Sequence, residues 1–122
     1  MRTGLSAGLT VLAFTVGTGT ALAHAFPVKE SPAANSVLKT SPTRVSITFT
    51  EAVNKHFSGI IVRAASDKRA DNGHVVRDPH DDKVLSVGLK QPLAPGAYTV
   101  IWHALAMDGH RTHGRYRFTE TP

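Results

Sequence analysis

His24, Asp108, His110 and Glu51 are the residues whose types and spacing point most directly to chemistry. His24 follows Ala21-Leu22-Ala23, a small-residue cleavage signal. It closes a leader-like stretch with Arg2 near its start and a mostly apolar run from Leu5 to Val16. Cleavage after Ala23 places a free α-amine, with an ordinary pKa of about 7.7–8.0, on the same residue as an imidazole. Amine and ring Nδ1 then close a six-membered chelate on one metal ion, which no internal histidine can do. Asp108-Gly109-His110 sets a carboxylate and an imidazole two residues apart, so that both can reach one ion from a single tight loop. Asp-Gly is also an ordinary turn pair, and taken alone the triplet reads first as hairpin chemistry. Glu51 follows the alternation Val45, Ile47, Phe49. If that period continues, its carboxylate points inward and wants a cation, a donor or a metal; if the strand stops at Thr50, it turns outward.

In combination these residues form a donor set of nitrogen and oxygen only. Two imidazoles, an amine and a carboxylate suit a tetragonal Cu(II) site, and the Irving–Williams order favours copper for such donors. The chain has no cysteine, and Met107 is its one methionine beyond the initiator, so soft Cu(I) finds little sulfur here. The remaining histidines carry weaker signals. His74 and His80 lie in a polar stretch and read as solvated, with weak binding of a further ion as the alternative. His103 falls on the opposite strand face from Trp102, either as a partner orienting a ligand or as a surface residue. His113 follows His110 by three residues, and His56 adjoins Phe57 in a break and reads as exposed.

The elements that must hold these groups are strands. Val45–Thr50 alternates apolar and polar, Gly59–Arg63 is a second run, Val84–Leu89 alternates again, and Ala97–Ala104 sets Tyr98, Val100 and Trp102 against Thr99, Ile101 and His103. Gly114–Thr119 closes the chain as a last strand. Ser66–Asp82 is polar and turn-rich, with Asp71-Asn72-Gly73 and Asp78-Pro79, and predicts a loop or hairpin excursion with a short strand at His74–Val76. Pro27, Pro32 and Pro42 keep the segment after His24 extended or irregular, with Val28 and Val37-Leu38 available to pin it to a sheet. Short strands, Gly/Pro turns and no helical period predict an all-β fold, a single Greek-key sandwich or barrel of about seven strands.

Composition sets the outer bounds. Residues 24–122 suffice for one small domain with a modest core, and no later apolar run is long enough for a membrane span. Without cysteine the fold rests on its core and not on disulfides. Once Arg2 is removed, 13 basic residues stand against 9 acidic ones, scattered singly from Lys29 to Arg117. A nucleic-acid surface needs clustering, so a mildly basic, solvated exterior is expected and no nucleic-acid partner.

The start at His24, the run Ile47-Thr48-Phe49-Thr50-Glu51, Phe57-Ser58-Gly59, Leu93-Ala94-Pro95-Gly96-Ala97-Tyr98-Thr99-Val100, Trp102 and Asp108-Gly109-His110 followed by Gly114 resemble the CopC family of periplasmic copper-resistance proteins. The resemblance spans essentially all of residues 24–122. It implies a seven-stranded cupredoxin-like or immunoglobulin-like β-domain, periplasmic or secreted after loss of residues 1–23. It further implies one Cu(II) per chain, held by the amine and ring of His24, by Asp108 and by His110, with Glu51 at or beside the metal. A CopD-type membrane permease is the implied partner, and a monomer is expected. One departure stands out. Some family members carry a methionine-rich Cu(I) site in the stretch corresponding to Ser66–Asp82, which here holds no methionine.

The expectation is therefore an exported Cu(II)-binding protein that sequesters or delivers copper and is not an enzyme. Two alternatives remain at this point. One is a copper monooxygenase, because an N-terminal histidine chelate is also the arrangement of lytic polysaccharide monooxygenases. The other is a metal-free structural β-sandwich with incidental histidines.

Overall fold

The computed structural model describes residues 24–122 without a break, together with residues 3, 4, 7, 8 and 10–13. The expected cleavage signal at Ala21–Ala23 lies outside the described residues. Among those residues, no helix is long and apolar enough to cross a membrane.

Eight strands form a sandwich. They are β1 (Pro27–Ser31), β2 (Val37–Leu38), β3 (Arg44–Phe49), β4 (Gly59–Ala64), β5 (Asp71–Arg77), β6 (Val84–Leu89), β7 (Gly96–Leu105) and β8 (Arg111–Glu120). One sheet has the order β1-β3-β6-β5 and the other β2-β8-β7-β4. All pairings are antiparallel except β2 with β8. The count exceeds the expected seven because β2, only two residues long, pairs with the end of β8 through Val37 and Leu38. So short a strand leaves no readable alternation.

The period-two pattern sorts side chains as expected. Val45, Ile47 and Phe49 of β3 and Leu85, Val87 and Leu89 of β6 point inward from one sheet. Ile60, Val62, Tyr98, Val100, Trp102, Tyr116 and Phe118 meet them from the other, and all are buried. Removing these apolar groups from water is the main source of stability in a domain without cross-links. Phe49 meets Trp102 edge-on at 5.4 Å between ring centroids, and Tyr98 stacks on Phe118 at 5.3 Å. Gly114, opposite Trp102 on β8, leaves room for that indole: a Cβ there would lie 2.7 Å from Trp102 Cζ2.

One open alternative closes and two local expectations change. β3 ends at Phe49, so Glu51 does not continue the inward row and is exposed. Val28 does not anchor the first segment, since it is 63% exposed; Ala25, fully buried, does. Within Ser66–Asp82 the strand is longer than His74–Val76, because Asp71 is drawn into β5 and buried. There it accepts two bonds from the Arg69 guanidinium (2.8 and 2.7 Å) and amide bonds from Val62 (2.8 Å) and Gly73 (2.9 Å). Val62 belongs to the other sheet, so this carboxylate ties the two layers together.

Candidate metal centre

Two distant parts of the chain meet at one end of the sandwich. The first is the turn joining β7 to β8. The His110 carbonyl accepts from the Ala106 amide and the Ala106 carbonyl from the Gly109 amide, both at 2.9 Å. Gly109 takes φ 93°, a left-handed conformation that favours glycine and lets Asp108 and His110 project from so tight a turn. The second part is the stretch from His24 to Phe26. Thr50 Oγ1 donates to the His24 carbonyl (2.9 Å) and accepts from the Phe26 amide (3.1 Å), while Thr112 Oγ1 donates to the Ala25 carbonyl (2.7 Å). With Ala25 buried between these bonds, His24 is held against β8 instead of trailing into solvent.

The consequence is a pair of imidazoles. The His24 and His110 ring centroids lie 4.7 Å apart with the planes nearly perpendicular, at 87°. On the far side of His24, Phe26 packs edge-on at 5.7 Å. His24 Nδ1 is buried and has no hydrogen-bond partner. A buried nitrogen without a partner forfeits its hydration unless something coordinates it, so it fits a metal ion as ligand. This is the ring nitrogen that would share a six-membered chelate with the residue's own amine.

Asp108 binds His110 twice. Its Oδ2 lies 3.0 Å from His110 Nδ1, and its Oδ1 accepts from the His110 amide at 3.1 Å. That amide bond first, then the side-chain contact and the nearby charges of His110 and His24, hold the Asp108 carboxyl below the usual carboxylate range. The group is therefore ionised and ready to accept a cation. With Nδ1 bonded to the carboxylate, His110 Nε2 is left as the free donor. Glu51 lines a shallow cavity of about 200 Å³ together with Ala52, Ala106, Met107 and Asp108.

The structure thus sets His24 against His110 and His110 against Asp108, with Glu51 on the flank beside Asp108. Among the described residues, no three His, Asp or Glu side chains already stand together at metal-ligating spacing. Closing a shell around one ion requires rotation within an exposed turn and the free amine of His24. The other histidines stand apart from this set in the strand pattern or the loops. His103 and His113 face each other across β7 and β8 on the outer side of the sheet, and His56, His74 and His80 are exposed. Thr50 and Thr112, which position His24, carry no signal in the sequence beyond being polar residues on strand-like runs. Their roles exist only through the contact between the His24–Phe26 stretch, the end of β3 and β8.

Residues 27–121 match the family model for the CopC domain. The chain belongs to the CopC family. Its relatives include Protein YobA of Escherichia coli strain K12, 34% identical over 111 residues that cover 91% of this chain and 90% of YobA. The crystal structure of CopC from Methylosinus trichosporium OB3b superposes with a TM-score of 0.75 at 30% identity, covering 81% of this chain and 95% of that one. PcoC, a methionine-rich copper resistance protein from Escherichia coli, superposes at 0.71 with 27% identity over 81% of this chain and all of its own. The all-β sandwich and the copper-resistance family are therefore as expected. Against PcoC, described as methionine rich, this CopC chain holds only 2 methionines.

Proposed function

We propose that this protein is an exported binder of one Cu(II) ion, sequestering it or passing it to a membrane copper permease of the CopD type, and that it does no catalysis. The reading is supported above all by one observation: His24 Nδ1, buried and unpartnered, stands beside the His110 ring at the end of the sandwich that also presents Asp108. Cleavage after Ala23 adds the amine and completes a set of nitrogen and oxygen donors, with Asp108 and His110 as further ligands and Glu51 beside them. Family membership supports copper as the cargo. Export to the periplasm or cell exterior follows from the leader-like residues 1–23.

As cargo, copper needs a site that holds and releases. The residues supply both: Thr50 and Thr112 hold His24 in place, while Asp108 and His110 sit in an exposed turn that can open. The test is a Cu(II) titration against a competing chelator, comparing protein beginning at His24 with protein carrying one extra residue before it. The expected result is a large loss of affinity in the extended form, and severe losses in His24→Ala and His110→Ala. Equal affinity in the two forms, or the absence of an axial EPR signal after one equivalent of copper, overturns the proposal.

A further inference from the structure

The two outer faces of the sandwich differ in charge. Outward from β3 and β6 stand Ser46, Thr48 and Ser86, with Arg44 at the end, its guanidinium donating to Ser86. Outward from β4, β7 and β8 the register aligns Arg63 with Thr99 and Arg117, Ile61 with Ile101 and Arg115, Gly59 with His103 and His113, and Leu105 with Arg111. Four guanidiniums and two imidazoles thus share one sheet face. Asp67 bridges Arg63 at 3.8 Å, and among the described residues no carboxylate lies within salt-bridge reach of Arg111, Arg115 or Arg117. Arg63, Arg115 and Arg117 also line a cleft of about 330 Å³ with Thr99 and Ile101, and Asp67 stands at its Arg63 side.

Two arginines without a carboxylate partner, Arg115 and Arg117, beside a hydroxyl-bearing cleft match the planar, bidentate recognition of phosphate oxygens. A protein interface normally has an aromatic or apolar centre. This face has no aromatic side chain and only a small aliphatic strip, the half-buried Ile61, Ile101 and Leu105; the exposed aromatics Phe26 and Phe57 lie outside the strands, and exposed Val37 sits on the marginal strand β2. Cationic charge spread over a sheet around a narrow aliphatic strip, with no aromatic anchor, complements a layer of anionic headgroups. We propose that the outer face of β4, β7 and β8 docks on an anionic phospholipid surface, with the Arg63–Arg115–Arg117 cleft receiving a phosphate headgroup. Arg111 and the hairpin that carries Asp108 and His110 then lie at one end of the docked face. This inference is independent of the metal.

Cosedimentation of the exported protein with phosphatidylcholine vesicles, with and without phosphatidylglycerol, tests it. Binding is expected only to the anionic vesicles and is expected to be released by salt. Arg115→Gln/Arg117→Gln should weaken it by about 30-fold and Arg111→Gln by about 5-fold, while Lys29→Gln/Arg44→Gln, off this face, leaves it unchanged. Thermal unfolding and copper titration of each variant show that the fold and the metal site are intact. Should the double variant fail to fold, Arg111→Gln decides alone. Equal binding to both vesicle types, or undiminished binding by the arginine variants, overturns the proposal. So does retention of inorganic phosphate in the cleft without vesicle binding, or a polyglutamate peptide held as tightly as the anionic vesicles.

Discussion

Asp71 and Asp108 are built on the same local plan and put to opposite uses. Each accepts a backbone amide from two residues further on, Gly73 or His110, and each pairs with a basic side chain two residues away, Arg69 or His110. Both carboxyls sit below the usual carboxylate range. For Asp71, burial pushes the carboxyl up and is outweighed by the Arg69 bonds and the Val62 and Gly73 amides; for Asp108 the His110 amide leads. The difference is what surrounds them. The Asp71 side chain is 0% exposed and its oxygens are saturated by an arginine that never deprotonates, whereas Asp108 is 34% exposed and its partner is a titratable ring with a second nitrogen. Saturation makes a latch between sheets. Exposure beside a titratable partner makes a group that can exchange its partner for a cation.

The hardest test of this contrast is Asp71→Ala. It leaves the Arg69 guanidinium and the Val62 amide without their acceptor and should cost about 3 kcal/mol of folding stability, measured by denaturant unfolding, with the copper affinity of the folded fraction unchanged. A variant as stable as the parent would show that Asp71 is no latch. The mirror-image change is Asp108→Ala. Copper affinity should fall by about 10- to 100-fold, whether the carboxylate binds the ion or only orients His110, while the unfolding midpoint stays where it was. A fallen midpoint with intact copper binding would reverse the two roles.

Acidification should separate the two groups along a second axis. Because the folded Asp71 carboxyl titrates below its unfolded value of about 3.9, its contribution is fully present above that pH and disappears as pH falls through the folded pKa. Copper binding, which needs deprotonated nitrogen ligands, should weaken as pH falls and be lost while the latch still holds. A single transition covering both losses would mean that the metal end and the latch are one cooperative unit.

A smaller effect is expected at the joint that holds His24. Thr50→Val removes the bonds to the His24 carbonyl and the Phe26 amide, costing about 1 kcal/mol and loosening copper by a few-fold in a chelator competition. Glu51→Gln should have the mildest effect on copper. If it proved worse than Asp108→Ala, the carboxylate ligand would be on the β3 side of the site and not in the β7–β8 turn.

Much of the framework was legible before any coordinates. Val84–Leu89 coincides with β6, and the runs at Val45, Gly59 and Ala97 fall within a residue or two of β3, β4 and β7. Alternation marks such strands because one face is apolar and the other wet. β5 was obscured because its pairing with β6 is irregular between Asp71 and Val75, and because Asn72, Gly73 and His74 resemble a turn. Asp71-Asn72-Gly73 has turn composition, and nothing local says that an amide from the other sheet will bury its first residue.

The sequence by itself determined the fold class and the family, since composition, period and motif are properties of residue order. It also supplied Asp108-Gly109-His110 as a unit, because a turn's spacing is local. Only the tertiary structure decided that His24, 84 or more residues away, faces His110 at 4.7 Å, that Glu51 turns outward, and that Thr50 and Thr112 do the holding. The physical reason is that hydrogen bonds and ring contacts between segments far apart in the chain depend on how two sheets stack, and that arrangement leaves no mark on any one stretch of residues.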